Sequence, residues 1–180
     1  GGLWPQFERN EDGLKWMVEA IQHAGYVPGK EASISLDIAA SDLYSEEDRM
    51  YRFDLENRTF TSVEFAELMA QWCRDYPVIS IEDPMADSDW DGWERFTKLT
   101  DKGLQIVGDD LFTTNIERIK TGIEKGVANS VLIKPNQIGT LTETMRAIRL
   151  TQEAGWLPLI SARSGETEDA FITHLAVATN

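Results

Sequence analysis

Five side chains that could take part in catalysis each follow a separate apolar segment: Asp37, Glu82, Asp109, Lys134 and Arg163. Three of them are carboxylates, which would repel one another in a shared pocket unless a divalent cation lay among them. Ligation by oxygen alone, with no His or Cys beside these positions, favours magnesium or manganese over zinc. The residue types therefore predict a site for a hard metal ion.

Lys134 and Arg163 would add a base and an anion-binding group to that site. A nearby cation and partial burial both favour the neutral amine of Lys134, the form that accepts a proton. Pro135 favours an extended backbone at Lys134 and so helps to aim its side chain. Arg163 and Ser164 offer a forked donor and a hydroxyl, which suit a phosphate or a carboxylate. Together these groups predict removal of a proton next to a carboxylate and stabilisation of the resulting enolate.

Each of these residues also has a purely structural interpretation. A single carboxylate could cap a neighbouring helix or pair with a surface lysine. Lys134 could be a solvated charge, and Arg163 could pair with Glu166 or Glu168. Three acids at successive strand ends, followed by a lysine at the end of a buried strand, fit those roles poorly. We therefore favour a functional site.

Apolar strands alternating with amphipathic helices must position these residues. Strands are predicted at residues 33–39, 78–81, 104–107, 130–133 and 157–160. Helices are predicted to begin at Asn10, at the capping pairs Thr61 and Glu64, Ser88 and Asp91, Thr114 and Glu117, and Thr140 and Glu143, and at Thr167. A hairpin is predicted between Tyr51 and Phe60. This alternation favours an α/β fold with a parallel sheet covered by helices.

Two architectures have such a sheet: a doubly wound open sheet and a βα barrel. No glycine-rich phosphate loop follows any predicted strand, and the distinctive polar residues lie at the carboxyl ends of the strands, where barrel enzymes place their chemistry. The barrel is therefore favoured. Five strands cannot close a barrel of eight, so the sequence predicts an incomplete TIM (βα)8 barrel with about five βα units.

Composition argues against several classes of partner. The chain has 31 acidic and 17 basic residues, a net charge of −14, and no basic stripe that could neutralise a nucleic acid backbone. No apolar run approaches the roughly 20 residues of a membrane-spanning helix, and no signal-like leader opens the chain. We expect a cytoplasmic protein that binds neither nucleic acid nor membrane.

The segments that carry these residues resemble, in order and spacing, the successive active-site motifs of the enolase family. They are Ser35-Leu-Asp-Ile-Ala-Ala-Ser41, Ser80-Ile-Glu-Asp-Pro84, Val107-Gly-Asp-Asp-Leu111, Ile133-Lys-Pro-Asn-Gln-Ile-Gly-Thr140 and Ser161-Ala-Arg-Ser-Gly-Glu-Thr-Glu-Asp169. A lysine or histidine base with magnesium is the known pattern of the enolase superfamily. The resemblance spans nearly the whole chain and implies an enolase-type barrel.

The resemblance also implies a role for each residue. Asp37, Glu82 and Asp109 would bind the structural Mg²⁺, and Lys134 would take the proton from carbon 2 of the substrate. Arg163 and Ser164 would bind substrate, together with Lys134, where the family places a second Mg²⁺ with the phosphate. The implied reaction is that of a lyase, the reversible dehydration of 2-phosphoglycerate to phosphoenolpyruvate in glycolysis and gluconeogenesis. Relatives are cytoplasmic homo-oligomers, some of which also occur at the cell surface.

Three departures from the family pattern shape the expectations. Gly1-Gly2 resembles the tail of the family's Gly-Asp-Glu-Gly-Gly loop, so the general-acid glutamate would precede residue 1. A second substrate-binding lysine would follow Asn180. We therefore expect residues 1–180 to be a fragment of the catalytic barrel, without the N-terminal domain and both barrel ends, and inactive alone. Ala162 stands where the family usually has a histidine.

Two alternatives to a working enolase remain. The loss of an imidazole at Ala162 would suit an enolase-like protein that is catalytically impaired and acts in binding or adhesion, whereas the three acids and Lys134 favour catalysis. A sister dehydratase or racemase acting on another carboxylate would lack the Ser-Gly-Glu-Thr-Glu-Asp run.

Overall fold

The sheet that carries the predicted site residues has five parallel strands. The computed structural model describes residue 3 and residues 5–179; the predictions about Gly1 and Gly2 lie outside them. The strands are β1 (Ile34–Asp37), β2 (Tyr44–Ser45), β3 (Met50–Phe53), β4 (Arg58–Thr61), β5 (Val78–Glu82), β6 (Gln105–Gly108), β7 (Ser130–Ile133) and β8 (Leu157–Ile160). The helices are α1 (Asn10–His23), α2 (Ser62–Asp75), α3 (Trp90–Leu99), α4 (Ile116–Lys125), α5 (Pro135–Ile138), α6 (Leu141–Glu153) and α7 (Phe171–Ala178).

Strands β1, β5, β6, β7 and β8 are hydrogen-bonded in that order, all in parallel. Within the described residues the sheet stays open between β1 and β8. The α/β fold with about five βα units is thus confirmed. None of the helices in residues 5–179 is long and apolar enough to span a bilayer.

The core lies between this sheet and the helices, and large side chains fill it. Phe65 and Met69 of α2 are fully buried, as are Trp93 and Phe96 of α3. Each such burial contributes about 1.5–3 kcal/mol to folding. The packing holds the strands in a fixed order and so brings their carboxyl ends to one edge.

Two of the predicted helix starts are confirmed because their capping contacts are local. Thr61 accepts a hydrogen bond from the backbone N–H of Glu64, whose carboxylate accepts in turn from the N–H of Thr61. Thr140 accepts from the N–H of Glu143 in the same way. In both places the side chain satisfies a donor that the first helical turn leaves unpaired.

The predicted caps of α3 and α4 are each wrong by one residue. Asp89, not Ser88, caps α3 by accepting from the N–H of Gly92 at 3.0 Å. Asn115, not Thr114, caps α4 by accepting from two backbone N–H groups. Asp and Asn cap helices at least as well as Ser and Thr do. The Thr114 hydroxyl instead bonds to Lys134 and Gln137.

The start of the last helix was also predicted too early. α7 begins at Phe171 instead of Thr167, because residues 161–170 form a loop. The carboxylate of Asp169 accepts the N–H of Phe171 at 2.7 Å and so begins the helix there. The residues expected to bind substrate therefore lie on a loop of about ten residues after β8.

A β-bulge sets the register between β1 and β5. Ile34 pairs with Val78, but the next residue, Ser35, pairs with Ser80. The extra residue, Ile79, is 60% exposed. Beyond the bulge the pairing is regular, so that Asp37 pairs with Glu82 at the end of both strands.

A small antiparallel sheet, β2-β3-β4, follows β1. It contains the hairpin predicted between Tyr51 and Phe60, extended by β2. The ring of Tyr51 stacks on Phe65 of α2 at 4.1 Å between centroids. The inserted segment is thereby joined to the barrel core.

Candidate active site

The carboxyl ends of four parallel strands bring four of the predicted site residues to one edge. Asp37 and Glu82 are the last residues of β1 and β5, and they are register partners. Asp109 follows β6 directly, and Lys134 follows β7 directly. The ammonium of Lys134 donates to the carboxylate of Asp109, and only 13% and 11% of the two side chains are exposed. A lysine and three acids thus share one rim.

The carboxylates at this rim are poorly solvated and repel one another. Burial, and after it the neighbouring Asp37 and Asp109, raise the pKa of Glu82 to about 7, against the opposing effect of Lys134. Asp37 lies on the exposed side of the rim, yet partial desolvation of its carboxylate still raises its pKa against an opposing hydrogen bond from the N–H of Ala39. One ammonium is too little positive charge for this cluster.

Carboxylate oxygens close enough to share a metal ion occur on Glu82, Asp83 and Asp109, all within 4.8 Å of one another. Asp37 lies outside that close group. The two oxygens of Asp83 accept the N–H groups of Asp109 at 3.0 Å and Asp110 at 2.8 Å, so this carboxylate orders the loop after β6. Burial raises the pKa of Asp83 to about 7, although those two hydrogen bonds oppose the rise.

Asp83 was not among the site residues predicted from the sequence. The one feature of the sequence that could have pointed to Asp83 is its position next to Glu82 in the Glu-Asp-Pro run. Only 3% of Asp83 is exposed, and the backbone φ of this residue, 41°, lies in the left-handed region. A buried acid held in this backbone conformation is a feature that strand-end spacing alone does not indicate.

The donor set fits a hard divalent cation. It consists of oxygen atoms only, and it gathers more negative charge than Lys134 offsets. Burial and neighbouring carboxylates raise the pKa values of Glu82 and Asp83. Mg²⁺ and Mn²⁺ bind such carboxylate sets, whereas zinc sites are usually built with His or Cys.

Lys134 is held by its backbone as well as by its ammonium. Its φ of −118° and ψ of 104° are extended, as expected before Pro135. Its N–H donates to the hydroxyl of Thr114 at 2.9 Å. Gln137, in the short helix α5, donates to the carboxylate of Asp109 at 3.3 Å. Neither Thr114 nor Gln137 was predicted as part of the site.

Arg163 and Ser164 are exposed and lie in the loop after β8. The backbone N–H of Arg163 donates to Glu166 at 3.3 Å, and Asn136 of α5 donates to the same carboxylate at 2.6 Å. The loop is thereby joined to the segment that follows Lys134. Ala162, Asn136 and Glu166 line a groove of about 360 Å³ between the loop and α5.

Comparison with known proteins agrees with this geometry. Over residues 1–180 the chain matches the family described as "Enolase, C-terminal TIM barrel domain". It is similar to Enolase 1 of Desulfitobacterium hafniense (strain Y51), with 54% identity over 181 residues that cover 100% of this chain and 41% of that protein. The chain thus spans less than half the length of this relative. Because the family match extends over every residue, the chain belongs to the enolase C-terminal TIM barrel family.

Proposed function

We propose that the protein containing this chain is an enolase, a lyase that interconverts 2-phosphoglycerate and phosphoenolpyruvate with Mg²⁺. The observation that carries the proposal is the contact of the Lys134 ammonium with Asp109, beside Glu82 and Asp37 at one rim. A base beside a cluster of acids is the arrangement needed to remove a proton next to a carboxylate.

In this proposal the amine of Lys134 takes the proton from carbon 2 of the substrate. Partial burial keeps the side chain of Lys134 out of bulk water and aimed at the rim. Asp37, Glu82 and Asp109 would hold the metal ion, which when bound supplies positive charge next to the enolate. Arg163 and Ser164, on the neighbouring loop, would bind the phosphate of the substrate.

The proposal extends to the whole protein that contains this chain. The chain would be part of the catalytic barrel of a longer, cytoplasmic protein that acts in glycolysis and gluconeogenesis as a homo-oligomer. The 41% coverage of the relative and the open edge of the sheet support the view that further strands complete the barrel.

The test is turnover by the full-length protein, followed by the absorbance of phosphoenolpyruvate at saturating Mg²⁺. Replacing Lys134 by Ala should lower kcat at least ~100-fold, the contribution of a positioned base. Lys98→Ala is the matched control, because the Lys98 side chain is 74% exposed and pairs with Glu94 on the surface of α3. No turnover by the unchanged protein would favour the impaired, binding-type alternative that Ala162 suggests.

A further inference from the structure

Thr114 occupies a buried position between two of the strand-end loops. It is 0% exposed, and its hydroxyl is bonded on both sides. The oxygen accepts the backbone N–H of Lys134 at 2.9 Å, and the O–H donates to the amide oxygen of Gln137 at 2.8 Å. A single hydroxyl thus connects the loop after β6 with the residue that follows β7.

Gln137 continues the connection to the acid. Its amide nitrogen donates to one carboxylate oxygen of Asp109 at 3.3 Å, and Lys134 donates to the other oxygen. Thr114, Gln137, Asp109 and Lys134 therefore form a closed ring of hydrogen bonds. Within the ring, Thr114 holds the backbone of Lys134 and Gln137 holds the carboxylate of Asp109, to which the Lys134 ammonium donates.

The backbone around Thr114 is also unusual. Thr113 and Thr114 have φ values of 46° and 55°, in the left-handed region that β-branched residues rarely adopt. The turn is held by hydrogen bonds from the N–H of Thr113 to the Asp109 carbonyl and from the N–H of Asn115 to the Phe112 carbonyl, both at 2.7 Å. Unfavourable conformations of this kind persist where the surrounding structure enforces them.

We propose that Thr114 and Gln137 are positioning residues, which hold the Lys134 backbone and the Asp109 carboxylate in the relative placement that metal binding and proton transfer require. The inference rests on the proposed function of the site. α5 is only four residues long and cannot by itself fix the direction of Lys134, whereas the ring joins it to a fully buried hydroxyl. Outer partners of this kind orient a ligand or a base without touching the substrate.

Two variants distinguish the effect of the Thr114 hydroxyl from the effect of the side-chain volume. In the full-length protein, Thr114→Val keeps the branched shape and removes the hydroxyl, and it should lower kcat ~10–100-fold while KM changes less than about threefold. Thr114→Ser restores the hydroxyl and should recover kcat to within about threefold. Thr151→Val is the control, because Thr151 is equally buried but its hydroxyl donates to the Ala147 carbonyl within its own helix, α6.

Gln137→Met tests the positioning role independently of Thr114. Gln137 is partly exposed, so this variant should fold, which circular dichroism would verify. Calorimetric titration with Mg²⁺ alone should show binding weakened ~10-fold or more relative to the unchanged protein. Normal kcat and normal Mg²⁺ affinity in Gln137→Met would overturn the proposal. So would a Thr114→Ser variant as impaired as Thr114→Val, or a Thr151→Val variant that loses as much as either.

The calorimetric readout also separates this inference from the proposed function. If the unchanged protein binds Mg²⁺ but does not turn over 2-phosphoglycerate, the proposed reaction fails while the positioning role is still decided by Gln137→Met. If the unchanged protein is active and Thr114→Val is equally active, the positioning role fails and the reaction stands.

Discussion

The hydroxyl of Tyr51 donates a 2.8 Å hydrogen bond to the carboxylate of Asp89, so the small antiparallel sheet is tied directly to the cap of α3. The same hydroxyl accepts the buried N–H of Ala86 at 3.0 Å. Asp89 in turn accepts the hydroxyl of Ser62 at 2.6 Å. The loop after β5, which begins next to Glu82, is thereby anchored to the segment inserted after β1.

Tyr51→Phe should lower the free energy of unfolding by about 1–3 kcal/mol, because it leaves the buried N–H of Ala86 without its acceptor. Urea denaturation would measure the loss. Tyr26→Phe is the control, since Tyr26 is 56% exposed. Equal stability of the Tyr51 variant and the unchanged protein would show that this network contributes nothing to folding.

Glu82→Gln should affect stability and metal binding in opposite directions. Removing one of several half-buried, mutually repelling carboxylates should raise the melting temperature of the metal-free protein. The same change should weaken Mg²⁺ binding at least ~10-fold by calorimetry, since an ionised oxygen ligand is lost. The control is Glu67→Gln: Glu67 lies on α2 and forms an exposed ion pair with Arg95 of α3. This variant should change neither the melting temperature nor Mg²⁺ binding. A Glu82 variant with unaltered Mg²⁺ affinity would remove this residue from the predicted ligand set.

Glu11 should make folding stability depend on pH in the acid range. The hydroxyl of Tyr76 donates to Glu11 at 2.7 Å and holds the pKa of that carboxyl below its ordinary value of 4.5. A pKa that is lower in the folded state stabilises the protein above about pH 4.5, and the gain is lost as pH falls through the folded value.

Glu11→Gln should therefore be less stable than the unchanged protein at pH 7, by about 0.2–1 kcal/mol because solvent screens the site. The difference should shrink as the pH falls below 4.5 and through the lowered pKa of Glu11. Free energies of unfolding measured across this range, with Glu19→Gln on the exposed face of α1 as control, would test this. A constant difference at all pH values would assign the effect to shape and not to charge.

Ala162→His tests whether the departure from the family pattern limits activity. Ala162 lies at the wall of the groove that also contains Asn136 and Glu166, so a larger side chain has room there. If a donor at this position contacts the substrate, the histidine should raise kcat/KM, by up to ~10-fold. Ala162→Leu fills the same space without a donor and should not raise it. Equal kcat/KM for both variants would mean that the missing imidazole is not limiting.

The sequence predicted the parallel strands and the residues at their ends because both follow from local patterns. The apolar segments before Glu82 and Lys134, for example, end within a residue of the observed strands. The capping pair at Thr61 succeeded, although Ser62 lies next to it, because Thr61 and Glu64 bond each other reciprocally. Thr114 failed as a cap because its hydroxyl is used by Lys134 and Gln137, which lie 20 and 23 residues further along the chain.

Contacts of that range depend on how neighbouring βα units pack, and a single sequence does not display them. The same holds for Asp83, whose backbone partners lie after the next strand. The placement of Arg163 in an exposed loop was likewise not visible in the spacing, which indicated only that it follows β8.

The β-bulge at Ile79 divides β5 into two parts that should tolerate length changes differently. Losing Ile79 would make the pairing of β1 and β5 regular and would leave Ser35 opposite Ser80 and Asp37 opposite Glu82. Losing any residue between Ser80 and Glu82 would instead turn the following side chains to the other face. A protein that lacks Ile79 should therefore still fold, whereas deletion of one residue from Ser80 to Glu82 should disable the site.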